Sequence, residues 1–378
     1  MNYEISEKEF TLNIDLHQRL TLLAKEGDLE VADTKQVRAN MEKTLATLAD
    51  TPYLKFGLEA VPGFNGLASL MYAVEVVADI SPSICLSVET STRVFGKILT
   101  QWGTPAIKEK MLPPLLAGKL IGALALSEES MNVENAPLTA GGPISGDKAA
   151  INGKKQYVVN APVADWFAVA GVAEGKSAVF LVKAGTPGLT VGPRKNTPGF
   201  QGAAIADITL ENCAIPADQI LMIPDGQNML QTLRMWENQV LIGAGLGLMK
   251  TAFEGAKTHA KTHRSGGKPV IAFQEVGFKL SDMLTLFQTS QLFAYRTAWT
   301  TENVPADAES LTLCAKVFCT ESAEQVAGEA MRILGGAGYE TGNPVERASR
   351  CVKFLQIAGT STEIARVKIG DAALGLRN

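Results

Sequence analysis

Apolar residues recur at helical spacing through the first third of the chain. KQVRANMEKTLATLA, SICLSVETSTRVFGKILTQWG and TPAIKEKMLPPLLAG carry them three and four residues apart, with Gly and Pro at their ends. Near Leu120 the pattern changes. Short β-rich runs follow (LIGALAL, AAINGKKQYVV, DWFAVAGVA, SAVFLVKAG, IADITLENCAI), separated by turn residues in GGPISGDK, AGTPG and KNTPGFQG. No amphipathic helix intervenes, which predicts an antiparallel barrel or sandwich rather than a parallel doubly wound sheet. From about Gln227 the helical period returns in three long segments. Small residues at Gly243, Ala244 and Gly247 predict close approach of a second helix there. The expected fold class is α+β. It has an N-terminal helical domain (residues 1 to 120), a middle antiparallel β domain (121 to 226) and a C-terminal four-helix-type bundle (227 to 378).

Composition narrows the function. With 378 residues, 46% hydrophobic and 20% charged, the chain can bury more than one core. A formal net charge of -4 gives no basic field for nucleic acid or anionic lipid. The acidic start MNYEISEKEF lacks an apolar leader, so a cytoplasmic location is expected. Five widely spaced cysteines suggest reduced thiols. His259 and His263 stand four apart but lack a third ligand, so no metal is expected. The glycine-dense IGAGLG and LGGAGYETG sit in helical context and are weak dinucleotide loops.

Five pieces in order then carry a resemblance: GTPAIKEKMLPPLLAGKLIGALALSEE, NGKKQYVVNAPVADWFAV, RSGGKPVIAFQ, MRILGGAGYETGNPVERASR and QIAGTSTEIAR. Together they resemble the acyl-CoA dehydrogenase family over nearly the whole chain. The resemblance implies an FAD enzyme that removes an α proton and a β hydride from an acyl-CoA thioester. It also implies transfer of electrons to an electron-transferring flavoprotein, and a homotetramer built as a dimer of dimers. Such chemistry needs a carboxylate in a dry pocket and fixed donors at the thioester oxygen.

Carried over position by position, the resemblance makes Ser127 the hydroxyl at the flavin ring, with Leu126 beside it offering backbone contacts. Ser127 also reads simply as a strand-end hydroxyl. Asn132, Val133 and Glu134 replace the family's Gly-Ser-Asp along the pyrophosphate and CoA arm. Tyr157 matches an aromatic packed on the flavin. Val159 stands where a threonine is usual, a loss of about 1 kcal/mol of hydrogen bonding. Arg264 and Gln274 match residues that reach the FAD of a neighbouring subunit, although Arg264 also suits a helix end. Arg332, Gly335 and Gly336 match the approach to the ADP part, where LGG is equally a helix C-cap. Ser361 and Glu363 match later FAD contacts.

The base is the main departure. Gly359 stands where most of the family has Glu, leaving only its N–H for the thioester oxygen. The isovaleryl and long-chain branches keep their glutamate six and ten residues before two glycines of the long bundle helix. Glu237 has that spacing to Gly243 and Gly247, which makes it the candidate base, while an ordinary surface glutamate early in a helix is the plain alternative. Glu89 in LSVETSTR is a second candidate. The departures suggest a branched, alicyclic or aromatic-acid-derived acyl group. Two other readings stay open: a reductase or lyase on the same scaffold, and a flavin-free homologue serving as a binding subunit, suggested by Val133, Val159, Gly266 and Gly359.

Overall fold

The computed structural model describes residues 5–31, 33–129 and 137–376. Among the described residues six α-helices come first: α1 (Glu7–Glu26), α2 (Thr34–Ala49), α3 (Gly66–Ile80), α4 (Pro82–Glu89), α5 (Gly96–Trp102) and α6 (Pro105–Leu116). α4 and α5 are one continuous rod, joined by a π-helical segment at Thr90–Phe95 whose residues are all buried. Pro at the first turn and Ser81 accepting from Ile84 N–H start this rod.

Among the described residues eight strands follow: β1 (Gly122–Ala125), β2 (Ile144–Ser145), β3 (Lys148–Val159), β4 (Trp166–Ala173), β5 (Lys176–Lys183), β6 (Leu189–Val191), β7 (Ile205–Pro216) and β8 (Ile220–Met222). They form two four-stranded sheets, ordered β1-β4-β5-β8 and β2-β3-β7-β6. Alternating residues such as Ile151, Phe167, Phe180 and Ile208 give this part its own core. One pair departs from the antiparallel expectation: β1 runs parallel to β4. The chain between them is long enough for a crossover and places β2 and β3 in the other sheet.

The bundle comprises α7 (Met229–Thr262), α8 (Gln274–Asn303), α9 (Ala308–Leu334), α10 (Pro344–Ile357) and α11 (Thr362–Ala373). Between α7 and α8 a small hairpin pairs β9 (Arg264–Ser265) with β10 (Lys268–Pro269). Gly243 and Gly247 let α3 come against α7. A Cβ on Gly247 would lie 2.4 Å from the Ala78 methyl, and one on Gly243 would lie 2.5 Å from Val74. α7 is thereby locked in rotation, which sets the direction of every side chain on its first turns. Among the described residues no helix is long and apolar enough to cross a membrane.

Candidate active site

A cleft lies where the rod, the β domain and the bundle meet. Leu86, Thr90 and Val94 supply the rod side, Leu124, Tyr157 and Val159 the strand side, and Glu237, Val240 and Gly359 the bundle side. Four residues singled out in the sequence therefore share one cavity: Tyr157, Val159, Glu237 and Gly359.

Glu237 is half-buried, its side chain 27% exposed, and it does not sit there alone. Arg234, one turn earlier on α7 and buried, donates from Nη1 to Glu237 Oε2 at 2.8 Å. Its Nη2 donates to Ser127 Oγ at 3.2 Å. One guanidinium thus ties the candidate base to the hydroxyl at the end of β1. The fork geometry of arginine makes this possible. Beside it, the Leu126 carbonyl accepts from Lys155 Nζ at 3.0 Å, and the same ammonium pairs with Glu128 at 2.7 Å. Burial pulls Lys155 down to about 8, against the hold of Glu128.

Gly359 occupies the joint between α10 and α11, with φ +66, a conformation that favours glycine. A Cβ there would lie 2.5 Å from Asn238 Oδ1 and 3.0 Å from Leu241 Cδ1. Asn238 fills that space because it clamps the joint: its Oδ1 accepts from Thr360 N–H at 2.9 Å, and its Nδ2 donates to Thr360 Oγ1 at 3.2 Å. Lys316 of α9, wholly buried, donates to the carbonyls of Leu355, Ala358 and Thr360. Burial brings its pKa down to about 7, opposed by the attraction of Glu237. Among the described residues the Gly359 N–H donates no hydrogen bond to the protein, so it is free for a ligand.

Glu89 lies elsewhere. It is 1% exposed, accepts from Tyr53 Oη at 2.8 Å and faces Arg93 Nε at 3.4 Å. Burial raises its pKa, against the pull of Arg93 and Tyr53. It lines a second, inner cavity rather than the cleft.

The side chains at and beside the cleft offer a flavin ring an exposed aromatic face, hydroxyls and an apolar wall. Tyr157 is 51% exposed at φ +53, on a bulge of β3, with Lys195 Nζ 4.3 Å from its ring centre. Ser127 accepts from Arg234 but has no acceptor for its own O–H, and the Thr90 hydroxyl lines the cleft without a protein partner among the described residues. Val159 adds an apolar wall. The remaining candidate cofactor residues are spread along the bundle. Arg264 is exposed and bonds the Gly267 carbonyl at 2.9 Å. Gln274 opens α8 and is also exposed. Arg332 pairs with Glu329, and Gly335 and Gly336 have open space where side chains would be. Ser361 caps α11 by accepting from Ile364 N–H, and Glu363 is exposed in its first turn. None of these lines the cleft. Asn132, Val133 and Glu134 lie outside the described residues.

Sequence reasoning missed Arg234, Asn238 as a clamp, and Lys316. Arg234 carried a signal, since it stands at i−3 from Glu237. Lys316 carried a weaker one, a lone lysine inside the apolar run of LTLCAKVF.

Comparison with known proteins agrees with this layout. Residues 28–119, 123–213 and 225–374 match the models of the acyl-CoA dehydrogenase N-terminal, middle and C-terminal domains. A probable acyl-CoA dehydrogenase of Mycobacterium tuberculosis is 30% identical over 82% of this chain and 81% of its own length. The benzylmalonyl-CoA dehydrogenase of Aromatoleum aromaticum is 29% identical over 90% of this chain and 92% of its own. The fold is similar to that of butyryl-CoA dehydrogenase from Megasphaera elsdenii, with TM-score 0.89 and 23% identity over 99% of this chain and 100% of that one.

Proposed function

The chain belongs to the acyl-CoA dehydrogenase family, a family of FAD-dependent oxidoreductases, and on that premise we propose that it desaturates the α,β bond of a branched, alicyclic or aromatic-acid-derived acyl-CoA with Glu237 as its base. The similarity to a benzylmalonyl-CoA dehydrogenase supports an acyl group larger than a straight short chain. Electrons pass on to an electron-transferring flavoprotein, and the working unit is a homotetramer in which Arg264 and Gln274 serve a neighbour's cofactor.

One observation carries this reading: Glu237 and Gly359 share a cleft in which residue 359 has no room for a carboxylate. The thioester oxygen is held by the Gly359 N–H, and the α C–H is presented to Glu237. Arg234 fixes the carboxylate's position and ties it to Ser127. Tyr157, Val159 and Thr90 of the cleft, with Ser127 beside it, would hold the isoalloxazine ring. FAD, when bound, supplies the two-electron acceptor for the β hydride. The apolar walls exclude water from the α carbon, which a weak carbon acid requires. The α proton goes to Glu237.

Anaerobic mixing with a panel of acyl-CoA thioesters tests this by bleaching of the flavin band. Glu237→Gln should keep the flavin spectrum and slow bleaching by roughly 10²–10⁴-fold, the usual contribution of a general base. Unchanged bleaching in that variant removes Glu237 as the base.

A further inference from the structure

A trans peptide unit is flat, and its carbonyl and its N–H point opposite ways. The unit between Ala358 and Gly359 is trans, so it joins the Ala358 carbonyl at one end to the Gly359 N–H at the other. The carbonyl points to α9 and accepts from Lys316 Nζ at 3.0 Å. The N–H therefore points away from α9. Ala358 and Gly359 both line the cleft, and Lys316 does not. The donor that the thioester oxygen needs is thus the far end of the amide that Lys316 grips.

Lysine is an unusual residue for that place. Lys316 is 0% exposed, and among the described residues no carboxylate lies within 4.0 Å of it. An ammonium buried without a counter-ion is strongly destabilised. What it has instead is the carbonyls of Leu355, Ala358 and Thr360. Leu355 lies in the last turn of α10, where carbonyls have no partner within the helix. Capping α10 accounts for that contact. Ala358 and Thr360 stand past the last residue of α10, and capping does not require them. The next amide, between Gly359 and Thr360, is held through the Thr360 N–H by Asn238. The two planes that meet at Gly359 are therefore fixed from two helices, one by Lys316 of α9 and one by Asn238 of α7.

We infer that Lys316 is a positioning residue for the reaction: it fixes and polarises the Ala358–Gly359 amide, which makes the Gly359 N–H a stronger donor to the oxygen of the developing enolate. The inference rests on the acyl-CoA dehydrogenation proposed above and adds to it a residue outside the cleft. A positive charge at the carbonyl end draws electron density along the amide and leaves the N–H more acidic. Hydrogen bonds in series strengthen one another in this way. The gain is larger for an enolate oxygen than for a neutral thioester, so it acts on the rate more than on binding. Glu237 of α7 and Glu363 of α11 attract the ammonium, and Arg234 of α7 repels it. With its pKa brought down to about 7 by burial, Lys316 is mostly charged at pH 6, the condition for the test.

The probe is the thioester of the bleaching panel that reduces the flavin fastest, carrying carbon-13 at its carbonyl. It is bound to holoprotein already reduced and kept free of air, which cannot take a second hydride and leaves the ligand intact. Difference infrared spectra read the carbonyl stretch. In the unsubstituted protein it should fall below that of the free thioester, as a strong donor at the oxygen requires. Lys316→Met keeps the side chain's length and drops its charge, and should lose at least half of that downshift. Its kcat should fall about tenfold or more with KM within about threefold. Lys316→Gln keeps a neutral donor, should fall between the two, and serves where the methionine variant does not fold. Asn238→Ala loosens the joint from its other side and should keep most of the downshift. A full downshift with native kcat in Lys316→Met or Lys316→Gln overturns the inference and leaves the dehydrogenase reading intact. So does loss of the downshift in Asn238→Ala, because the joint as a whole, and not Lys316, then sets the donor. No downshift in the unsubstituted protein overturns the hold by the Gly359 N–H, and this inference with it. A panel in which no thioester bleaches the flavin overturns the dehydrogenase reading itself.

Discussion

Returning the family's carboxylate to residue 359 should damage the protein and restore nothing. Gly359→Glu forces an L side chain into φ +66, which costs about 1–2 kcal/mol. Its Cβ meets Asn238 Oδ1 at 2.5 Å and Leu241 at 3.0 Å, and such overpacking typically costs about 1–3 kcal/mol. If Asn238 moves aside, two hydrogen bonds to Thr360 are lost, at about 1 kcal/mol each. These terms share Asn238 and do not add fully, so about 3–5 kcal/mol of destabilisation is expected. Urea unfolding of native and variant holoprotein, followed by circular dichroism, reads the loss directly. The functional arm uses Gly359→Glu on the Glu237→Gln background with any acyl-CoA that bleaches the native flavin. The expected rate is no higher than that of Glu237→Gln alone. A double variant that is stable to within 0.5 kcal/mol and bleaches near the native rate would show that the joint accepts a base, and that its glycine is incidental.

Two further outcomes follow from the cleft's surroundings. Arg234→Gln should lower kcat by tenfold or more while changing KM far less, because it loosens the aim of Glu237 without removing a substrate contact; a change confined to KM contradicts the positioning role. Lys316 has a folded-state pKa of about 7, below the ordinary 10.5, so between those values the unfolded chain binds more protons and stability rises with pH. Lys316→Met should flatten that rise between pH 7 and 10 in denaturant titrations, and pH–stability curves that stay parallel for native and variant count against it.

The order of helices, strands and helices was readable because each class has its own hydrophobic period, and the long runs leave little ambiguity. The place of Glu237 in the cleft was readable for a different reason. Its spacing to Gly243 and Gly247 is a distance along a helix that those glycines pin against α3, so sequence separation converts directly into direction. The clamp on the Gly359 joint was not readable. Asn238 and Thr360 are far apart in the chain, and Lys316 reaches its three carbonyls from a different helix. Nothing in local pattern links them. The parallel β1–β4 pair was equally hidden, because strand propensity carries no sign of direction. Glu89 was readable as a second candidate base in LSVETSTR, but its burial against Tyr53 and Arg93, beside another cavity than the cleft, was not.

The π-helical segment at Thr90–Phe95 has a consequence for how this pocket can change over generations. A π-turn holds one residue more than an α-turn, so it is the natural product of a single-codon insertion. Deleting one residue there would let the rod close up as plain α-helix. The wider turn absorbs that extra residue, so the stretch after it would keep roughly its present face. Thr90 lies inside the segment and lines the cleft, while Glu237, Arg234 and Gly359 stand on other elements. A one-residue deletion there would thus reshape one wall of the cleft and leave the opposite wall where it is.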